Sequence, residues 1–481
     1  MPEDRVNAMH PILRLIAITL CLIVGACVGP AASDLGHNAA TNAPNIVLIV
    51  TDDQGYGDLS CSGHPTIRTP RLDALAAEGR RLTQFYVASP VCSPSRAAIL
   101  TGCYPRRVEM HKHVIFPDYD YGLHPDEDTI ADVLKRAGYR TACFGKWHLG
   151  HRPGMLPVDQ GFDEWLGIPY SNDMAQFHRP EGNRYRYRLP LLRNRDVVEW
   201  EPDQTRFTTL FTDEAVRFIH EESDAPFFLY LPHPMPHVPL FASDESEGQS
   251  PRGLYGDVIE EIDASVGRIV DALDARGIRD NTLLIFTSDN GPWAVQELHG
   301  GTAGPLRGAK GTNWEGGQRV PLIVSWPGHA APASIGTEVF TALELLPTLA
   351  SLAGATLDSA RQIDGESLAT TLLGDTTTSE SRGREAPFLY YTSRGARAGI
   401  RRGPWKLLLD GPKLFHVEHD IEERFNRATN QPDLVKELTL LATQLFDEVD
   451  AGSRSHFTTE AMLFDSAVSQ SDSAPAGNQV K

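Results

Sequence analysis

The sequence predicts an α/β protein in which helices flank a large, mostly parallel mixed sheet, followed by a smaller C-terminal unit of antiparallel sheet and helix. Short apolar, β-branched runs alternate with helical segments between residues 45 and 288, as in parallel sheets that are covered on both faces. Clusters of polar residues follow these runs directly. From about residue 385 the segments become short enough for antiparallel hairpins.

The apolar runs are the predicted strands of the large sheet. The first, Asn45–Val50, is apolar after its first residue, which suits a strand buried on both faces. Further runs lie at residues 139–144, 227–231 and 282–288. Helices are predicted around 70–79 and over 127–137, where Gly79 and Gly138 supply helix ends.

The C-terminal region has a different pattern. Four short apolar segments predict a small antiparallel sheet, and a helix is expected near residues 432–449. The segments lie at residues 387–391, 398–400, 405–409 and 413–417. Residues 466–481 are rich in Ser, Ala and Gln, a composition typical of a disordered tail.

Length and charge restrict the class of protein. The 481 residues are enough for one large domain and a smaller one. Lys and Arg number 44 and Asp and Glu 63, so the net charge of −19 argues against nucleic acid as a partner. An anionic substrate would therefore have to be held by a local cluster of positive side chains.

The N-terminus predicts export from the cytoplasm. Residues 12–28 form an apolar run with arginines at its front, which is too short for a comfortable membrane span and is typical of a signal sequence. Because Glu3 and Asp4 are unusual at such a start, translation begins at either Met1 or Met9.

Two forms of processing fit this signal. Val24–Cys27 resembles a bacterial lipobox, which would make Cys27 a lipidated N-terminus anchored in a membrane. A plain signal peptide cut near residues 31–33 is the alternative. Residues 29–43 are then a flexible tether, and the expected location is the periplasm or cell envelope.

Polar residues follow four predicted strands at the point where each strand ends. They are Asp52 and Asp53, Lys146 and His148, His237, and Asp289 with Asn290. Because ligands of open α/β sheets bind outside the carboxyl ends of the strands, we expect these side chains to meet at one site. Carboxylate and amide oxygens suit Ca²⁺ or Mg²⁺. A solvated turn or a helix cap is the alternative for Asp52 and Asp53.

A second group of signals lies between Val91 and Gly102. Pro94 suits the first turn of a helix and Ser93 is a natural N-cap. Cys92 would then lie just before the positive end of a helix, where a thiol loses its proton easily. The alternative is a small apolar cysteine packed beneath a helix start.

The string Cys92-x-Pro-Ser-Arg96, followed by Leu-Thr-Gly102, resembles the signature of the type I sulfatases of the alkaline phosphatase superfamily. This resemblance implies an alkaline phosphatase-like fold and an arylsulfatase A-like sulfuric ester hydrolase. In that family a separate maturation enzyme oxidises the cysteine to formylglycine (3-oxoalanine), whose hydrated aldehyde is the nucleophile. The residue here is Cys92, with Arg96 one turn further along.

The resemblance also implies a metal site and a domain organisation. A Ca²⁺ ion, or Mg²⁺, would be held by Asp52, Asp53, Cys92 in its oxidised form, Asp289 and Asn290. Residues 44–384 would be the catalytic sulfatase domain and residues 385–465 a C-terminal subdomain.

Two further motifs resemble sulfate-binding segments of the family. The stretch Gly308–Pro321 implies that Lys310 contacts the sulfate. The stretch Gly145–Gly150 implies that Lys146 contacts the sulfate and that His148 contacts the formylglycine. An unremarkable surface lysine is the alternative for each lysine.

Two further active-site residues are assigned by resemblance, one with a competing histidine nearby and one from a single branch of the family. Pro236–Pro239 matches the family's other active-site histidine, His237, and His233 is the competing residue four positions earlier. Gly167–Ser171 resembles the arylsulfatase A branch, in which Ser171 would lie near the sulfate.

The resemblance implies a division of chemical roles. The metal and the positive side chains would stabilise negative charge on the sulfuryl oxygens. Asp289 would help to remove a proton from the attacking hydroxyl, and His237 or Lys310 would protonate the departing alcohol. His148 would take the proton of the second hydroxyl, which restores the aldehyde.

The expected substrate is a sulfated small molecule or glycan. A phosphodiester or phosphonate monoester hydrolase of the same superfamily is one alternative, and an inactive binding lipoprotein is another. Residues 184–188 alternate Arg and Tyr, which predicts a hairpin strand whose arginines either grip an anionic glycan or face solvent.

Overall fold

The strand β1 (Asn45–Thr51) lies inside the large sheet and is buried along its whole length. The structure is a computed structural model, and it describes residues 43–174, 187–374 and 383–465. Ile46, Leu48 and Val50 of β1 face one hydrophobic core, and Val47 and Ile49 face the other. A strand with a core on each side has no polar face, which explains its continuous apolar sequence.

Ten strands of the described residues form this sheet. In spatial order they are β11 (Ser334–Thr341), β2 (Arg80–Tyr86), β10 (Leu322–Ser325), β9 (Thr282–Ser288), β1, β8 (Phe227–Pro232), β4 (Arg140–Lys146), β5 (Glu164–Ile168), β6 (Pro190–Arg193) and β7 (Asp196–Trp200). The five neighbours from β9 to β5 are parallel, whereas β10 and β6 run antiparallel to the strands beside them. The predicted mostly parallel mixed sheet is therefore confirmed.

Helices cover both faces of the sheet. One core contains apolar residues of α2 (Cys92–Thr101), α3 (Ile130–Arg136), α7 (Leu345–Leu352) and α8 (Ala369–Leu373). The other core contains those of α1 (Pro70–Glu78), α4 (Phe207–His220) and α5 (Leu254–Ala275). The short helix α6 (Glu315–Gln318) lies close to the candidate site described below.

A small antiparallel sheet follows in the chain, as predicted. It consists of β12 (Phe388–Tyr391), β13 (Arg397–Arg402), β14 (Trp405–Leu408) and β15 (Lys413–His416). Helix α9 (Pro432–Ala451) shares a third core with this sheet. The short strands β3 (Tyr121–Gly122) and β16 (Phe457–Thr458) pair antiparallel, and all of these elements belong to one compact unit.

The predicted start of helix α2 is wrong by two positions. Cys92 is the first helical residue and Val91 is the N-cap, whereas the sequence indicated Ser93 as the N-cap. The Ser93 hydroxyl instead accepts a hydrogen bond from the backbone N–H of Ile115 at 3.0 Å. A contact with a distant loop therefore takes the hydroxyl that would have capped the helix.

Several predictions fall outside the described residues. They are the signal run over 12–28, the lipidated Cys27, the tether up to residue 42, the tail over 466–481, and residues 184–186 of the Arg/Tyr alternation. Within the three described ranges, no helix combines the length and the apolar character that crossing a membrane requires.

Candidate active site

The site lies where neighbouring strands of the large sheet end. Strands β9, β1, β8 and β4 are adjacent in the sheet, and each is followed by residues that the sequence predicted to meet. Helix α2 brings Cys92 to the same place, because the Cys92 Sγ donates a hydrogen bond to Asp52 Oδ1 at 3.3 Å. The topology thus gathers residues that are up to 258 positions apart in the chain, from Asp52 to Lys310.

The acidic residues form one buried cluster. Asp52, Asp53, Asp289 and Asn290 are each at most 2% exposed. The backbone N–H of Asp53 donates to Asp289 Oδ1 at 3.2 Å, and the Asn290 side-chain amide donates to Asp53 Oδ1 at 2.7 Å. Asp53 holds this position with a left-handed backbone (φ 64°), a conformation that Asp tolerates better than most residues.

This cluster fits a hard divalent cation. Ligand atoms of Asp52, Asp53, Cys92 and His237 lie within 4.8 Å of one another. The side-chain oxygen of Asn290 is buried and accepts no hydrogen bond from the described residues. An oxygen of this kind is available to a cation, and a shell of carboxylate and amide oxygens suits Ca²⁺ or Mg²⁺.

Among Asp, Glu, His and Cys residues, the close group differs from the predicted ligand set at two positions. It contains His237, which the sequence assigned to the leaving group. It lacks Asp289, whose Oδ2 accepts a hydrogen bond from Arg96 Nε at 2.9 Å and forms an ion pair with the same guanidinium. The guanidinium of Arg96 therefore competes for the carboxylate that the sequence assigned to the metal.

Three cations balance the three aspartates, and of these Arg96 and Lys146 are fully buried whereas the Lys310 side chain is 10% exposed. Lys146 pairs with Asp52 and donates to Ser171 Oγ at 3.1 Å. Lys310 Nζ lies 2.7 Å from Asp53 Oδ2 and 3.7 Å from Cys92 Sγ. Together with Arg96 these contacts satisfy the rule that buried charges are paired, and they also surround position 92 with positive charge.

The pKa values of the carboxyl groups follow from this arrangement. Burial alone would raise the pKa of Asp52, but Lys146 and Arg96 together hold it well below its ordinary value. Burial and the nearby Asp52 carboxylate raise the pKa of Asp289. Asp52 is thus the carboxylate that stays ionised, and Asp289 is the one that takes up a proton more readily.

The Cys92 thiol does not ionise easily, contrary to the prediction from its place at a helix start. Burial raises its pKa well above the ordinary value, and the Asp52 carboxylate raises it further. Lys146 and Lys310 act in the opposite direction but do not prevail. The unmodified thiol is therefore a poor nucleophile, because reactivity requires the thiolate.

His148 is a neutral imidazole with a free lone pair. Its Nε2 lies 3.0 Å from the Ile115 carbonyl oxygen, which can only accept, so Nε2 carries the hydrogen. Its Nδ1 is buried without a hydrogen-bond partner among the described residues. Burial, Lys146 and Arg96 hold its pKa well below the ordinary value. Nδ1 therefore holds the ring's available lone pair, and the lowered pKa makes it a weaker base than an ordinary histidine.

The structure separates the two competing histidines. His237 lines the site cavity, with Nε2 at 3.6 Å from Asp53 Oδ2 and its ring 5.3 Å from that of Trp293. His233 is fully buried, lies 3.3 Å from the Ser265 hydroxyl and does not line the cavity. Burial and the Lys310 ammonium lower the pKa of His237.

The cavity above Cys92 has a volume of about 290 Å³. The predicted residues that line it are Cys92, His148, Ser171, His237 and Lys310. Sequence reasoning missed His113, Phe116, Asp173, Trp293 and Ser393, which also line it. Trp293 and Asp173 carried a local signal, since Trp293 follows Asn290 by three positions and Asp173 follows Ser171 by two. Ser393 belongs to the hairpin between β12 and β13, which no local pattern connects to the site.

Comparisons with known proteins give consistent results. A family model described as Sulfatase matches residues 44–355. The chain is similar to arylsulfatase A of Homo sapiens, with 43% identity over 352 residues, covering 70% of this chain and 69% of the human protein. It is also similar to N-acetylgalactosamine-6-sulfatase of Sus scrofa, with 39% identity over 469 residues and coverage of 86% and 88%. Among solved structures, Ps i-CgsB in complex with k-i-k-neocarrahexaose has a TM-score of 0.74 at 30% identity, with coverage of 86% of this chain and 94% of that one.

Proposed function

Because this chain belongs to the sulfatase family and is a sulfate ester hydrolase, we propose that its nucleophile is made from Cys92 and that its substrate is a sulfated sugar. The observation that carries this proposal is the position of Cys92 in the lining of the cavity, 3.3 Å from Asp52 and 3.7 Å from Lys310. Oxidation to formylglycine by a maturation enzyme would supply a hydrated aldehyde, one hydroxyl of which can attack sulfur.

The acidic cluster is the proposed holder of a divalent metal. Asp52, Asp53 and position 92 lie close together, and with the Asn290 side-chain oxygen and Asp289, which the family resemblance assigns to the metal, they would bind Ca²⁺ or Mg²⁺. The ion would supply positive charge that polarises the sulfuryl group. His237 lies close enough to these ligands that a metal would also restrict its orientation.

The buried cations provide the rest of the electrostatic stabilisation. A sulfate ester gains negative charge on the sulfuryl oxygens and on the leaving oxygen in the transition state. Lys146, Lys310 and Arg96 are fixed by their carboxylate partners before substrate binds. Such preorganised groups stabilise developing charge without reorganising during the reaction.

His148 is the proposed proton acceptor at position 92. Its neutral form and its unpartnered Nδ1 allow it to receive a proton from a hydroxyl on that residue. The bond between Nε2 and the Ile115 carbonyl oxygen fixes the tautomer. The ring can therefore act only through its other nitrogen.

A sulfated sugar is the proposed class of substrate. The similar protein Ps i-CgsB was solved with k-i-k-neocarrahexaose, and another relative is an N-acetylgalactosamine-6-sulfatase. The rings of Trp293 and Phe116 line the cavity on this chain, and aromatic faces of this kind pack well against the apolar face of a sugar. A cavity of about 290 Å³ is at the lower end for small-molecule sites, which favours one sugar residue at a time.

Paired substrates test the proposed function against the other hydrolase activities of the superfamily. We expect purified protein, made together with a maturation enzyme, to hydrolyse nitrophenyl sulfate faster than the matching phosphate and phenylphosphonate. A panel of sulfated monosaccharides would then identify the sugar. Faster turnover of the phosphonate than of the sulfate would contradict the proposal, and so would an absence of turnover with all three.

His237 is proposed to protonate the leaving alcohol, which gives a prediction about leaving groups. Replacing His237 with Ala should slow the hydrolysis of alkyl and sugar sulfates by roughly 100-fold to 10,000-fold, the usual contribution of general acid catalysis. Hydrolysis of nitrophenyl sulfate should slow much less, because nitrophenolate leaves without protonation. The measurement is kcat/KM for both substrate classes. His233→Ala is the matched control, since His233 lies outside the cavity. The opposite pattern for the two variants would show that His233 is the acid.

Membrane anchoring through Cys27 is a separate proposal, since this residue lies outside the described ranges. If Val24–Cys27 is processed as a lipobox, the wild-type protein made in a bacterium should fractionate with the envelope. Cys27→Ser should release it to the soluble fraction or stall its processing, since acyl chains add about 0.8 kcal/mol of membrane affinity per buried CH₂. A wild-type protein that is already soluble, with an N-terminus near residue 33, would leave only the export signal.

A further inference from the structure

Helix α6 (Glu315–Gln318) joins three segments of the active site. The backbone N–H of Gly291, directly after Asn290, donates to the Gly317 carbonyl oxygen at 3.1 Å. The N–H of Val87, in the segment that leads to Cys92, donates to the carbonyl oxygen of Gln318 at 2.8 Å. The helix also follows the Lys310 loop (residues 308–314) directly in the chain. Its position therefore sets the relative positions of Lys310, Asn290 and Cys92.

The Lys310 loop depends on α6 for its closure. The N–H of Gly316 donates to the Arg307 carbonyl oxygen at 2.7 Å, which joins the two ends of the loop. A Cβ atom on Gly291 would lie only 1.8 Å from the Gly316 carbonyl oxygen. Backbones this close leave little room for α6 to move without moving the site.

A buried ion cluster from the small sheet holds α6 in place. Glu315 is fully buried and pairs with Lys406 Nζ of strand β14 at 2.9 Å. The same ammonium lies 2.9 Å from Glu423 Oε1, and Glu423 Oε2 accepts the Glu315 backbone N–H at 2.7 Å. Tyr86, at the end of β2, donates its hydroxyl to Glu315.

Lys406 is the cation that bridges the two carboxylates. Its exposed fraction is 0%, as are those of Glu315 and Glu423. None of the three lines the catalytic cavity. Removing Lys406 would leave Glu423 without an ion-pair partner among the described residues and Glu315 with only the longer contact to Arg319 at 3.5 Å, so the cluster constrains α6 far more than an exposed ion pair would.

We propose that Lys406 is a positioning residue for sulfate hydrolysis, acting through Glu315 and α6 on the Lys310 loop. The small sheet then contributes to the reaction through the contact between Lys406 and Glu315, neither of which lines the catalytic cavity. This inference rests on the proposed function, in which Lys310 stabilises the sulfuryl charge. A displacement of about 1 Å at such a group lowers rates by roughly 100-fold.

The test compares Lys406→Met with Arg402→Met. Arg402 lies in the same small sheet but pairs with Glu437 at 2.7 Å on the surface, where its side chain is 39% exposed. We expect Lys406→Met to lower kcat for nitrophenyl sulfate by about 10-fold to 100-fold with a KM within about threefold of wild type. Hydrogen exchange should rise in residues 308–318 and stay unchanged in β1. Arg402→Met should change neither kcat nor the hydrogen exchange of residues 308–318.

A second variant keeps the inference falsifiable if Lys406→Met does not fold. Glu315→Gln retains the shape of the side chain but removes the charge that Lys406 contacts, and it should give the same local pattern. A folded variant with wild-type kcat and wild-type exchange in 308–318 would overturn the role of Lys406. A uniform rise in exchange across β1 and α6 would also overturn it, because the residue would then serve only stability. Inactivity of the wild type would instead refute the proposed function, and the exchange data would still decide whether Lys406 fixes the loop.

Discussion

Replacing Cys92 with Ala is expected to abolish sulfate ester hydrolysis, with a loss in kcat on the order of 10⁴-fold to 10⁶-fold. The variant retains the buried cations that stabilise the transition state but lacks any group that can attack sulfur. The side chain is buried at the start of α2, so Ala should leave the helix intact. The measurement is kcat with nitrophenyl sulfate at matched protein concentration, with circular dichroism to verify folding.

Cys61→Ala is the control for this experiment. Cys61 is a free thiol that is only partly buried and lies outside the catalytic cavity, so its replacement should leave kcat within about twofold of wild type. A Cys92→Ala protein with activity within tenfold of wild type would show that Cys92 is not the precursor of the nucleophile.

Removal of divalent metal is expected to lower turnover by at least about 100-fold, because a metal contributes several kcal/mol to charge stabilisation. Addition of Ca²⁺ or Mg²⁺ should restore it, and the ion that does so at the lower concentration is the better fit to the site. The thermal midpoint should fall on removal as well, since a ligand that binds only the folded state stabilises it.

Asn290→Ala distinguishes a specific site from a general effect of chelation. Its side-chain oxygen is a buried acceptor without a partner among the described residues and belongs to the acidic cluster, so the variant should require more metal for half-maximal activity. Full activity after exhaustive chelation, in protein shown by elemental analysis to contain no metal, would contradict the proposed cation site.

The sequence was sufficient where local patterns determine structure. The continuous apolar run of β1 predicted a strand between two cores, and the polar residues after β1, β4, β8 and β9 predicted where the site would form. The preference for His237 over His233 came from a motif, and the structure places only His237 at the cavity. The prediction of β1 and of the place where these polar residues meet is confirmed, because strand periodicity and strand-end position are properties of short segments. The role of His237 stays a prediction.

The sequence was insufficient where distant segments determine chemistry. The helix-start argument predicted an easily ionised Cys92, but burial beside Asp52 raises the pKa of the thiol. The Ser93 hydroxyl accepts a hydrogen bond from the Ile115 backbone N–H and does not cap helix α2. The contact between Lys406 and Glu315 joins residues 91 positions apart, with no pattern in either segment to indicate it. Each of these features depends on which loops the fold brings together.

Peptide mass spectrometry at position 92 tests the proposed nucleophile most directly. Trypsin should release residues 82–96 as one peptide, because Arg81 and Arg96 are its flanking cleavage sites and no Lys or Arg lies between them. In active protein made with a maturation enzyme, we predict that residue 92 has the mass of formylglycine and that the peptide reacts with an aldehyde-specific hydrazide. Across preparations, the measured turnover per protein molecule should rise in proportion to the fraction of molecules in which residue 92 is formylglycine. Fully active protein in which residue 92 is only the unmodified cysteine would contradict the proposed mechanism.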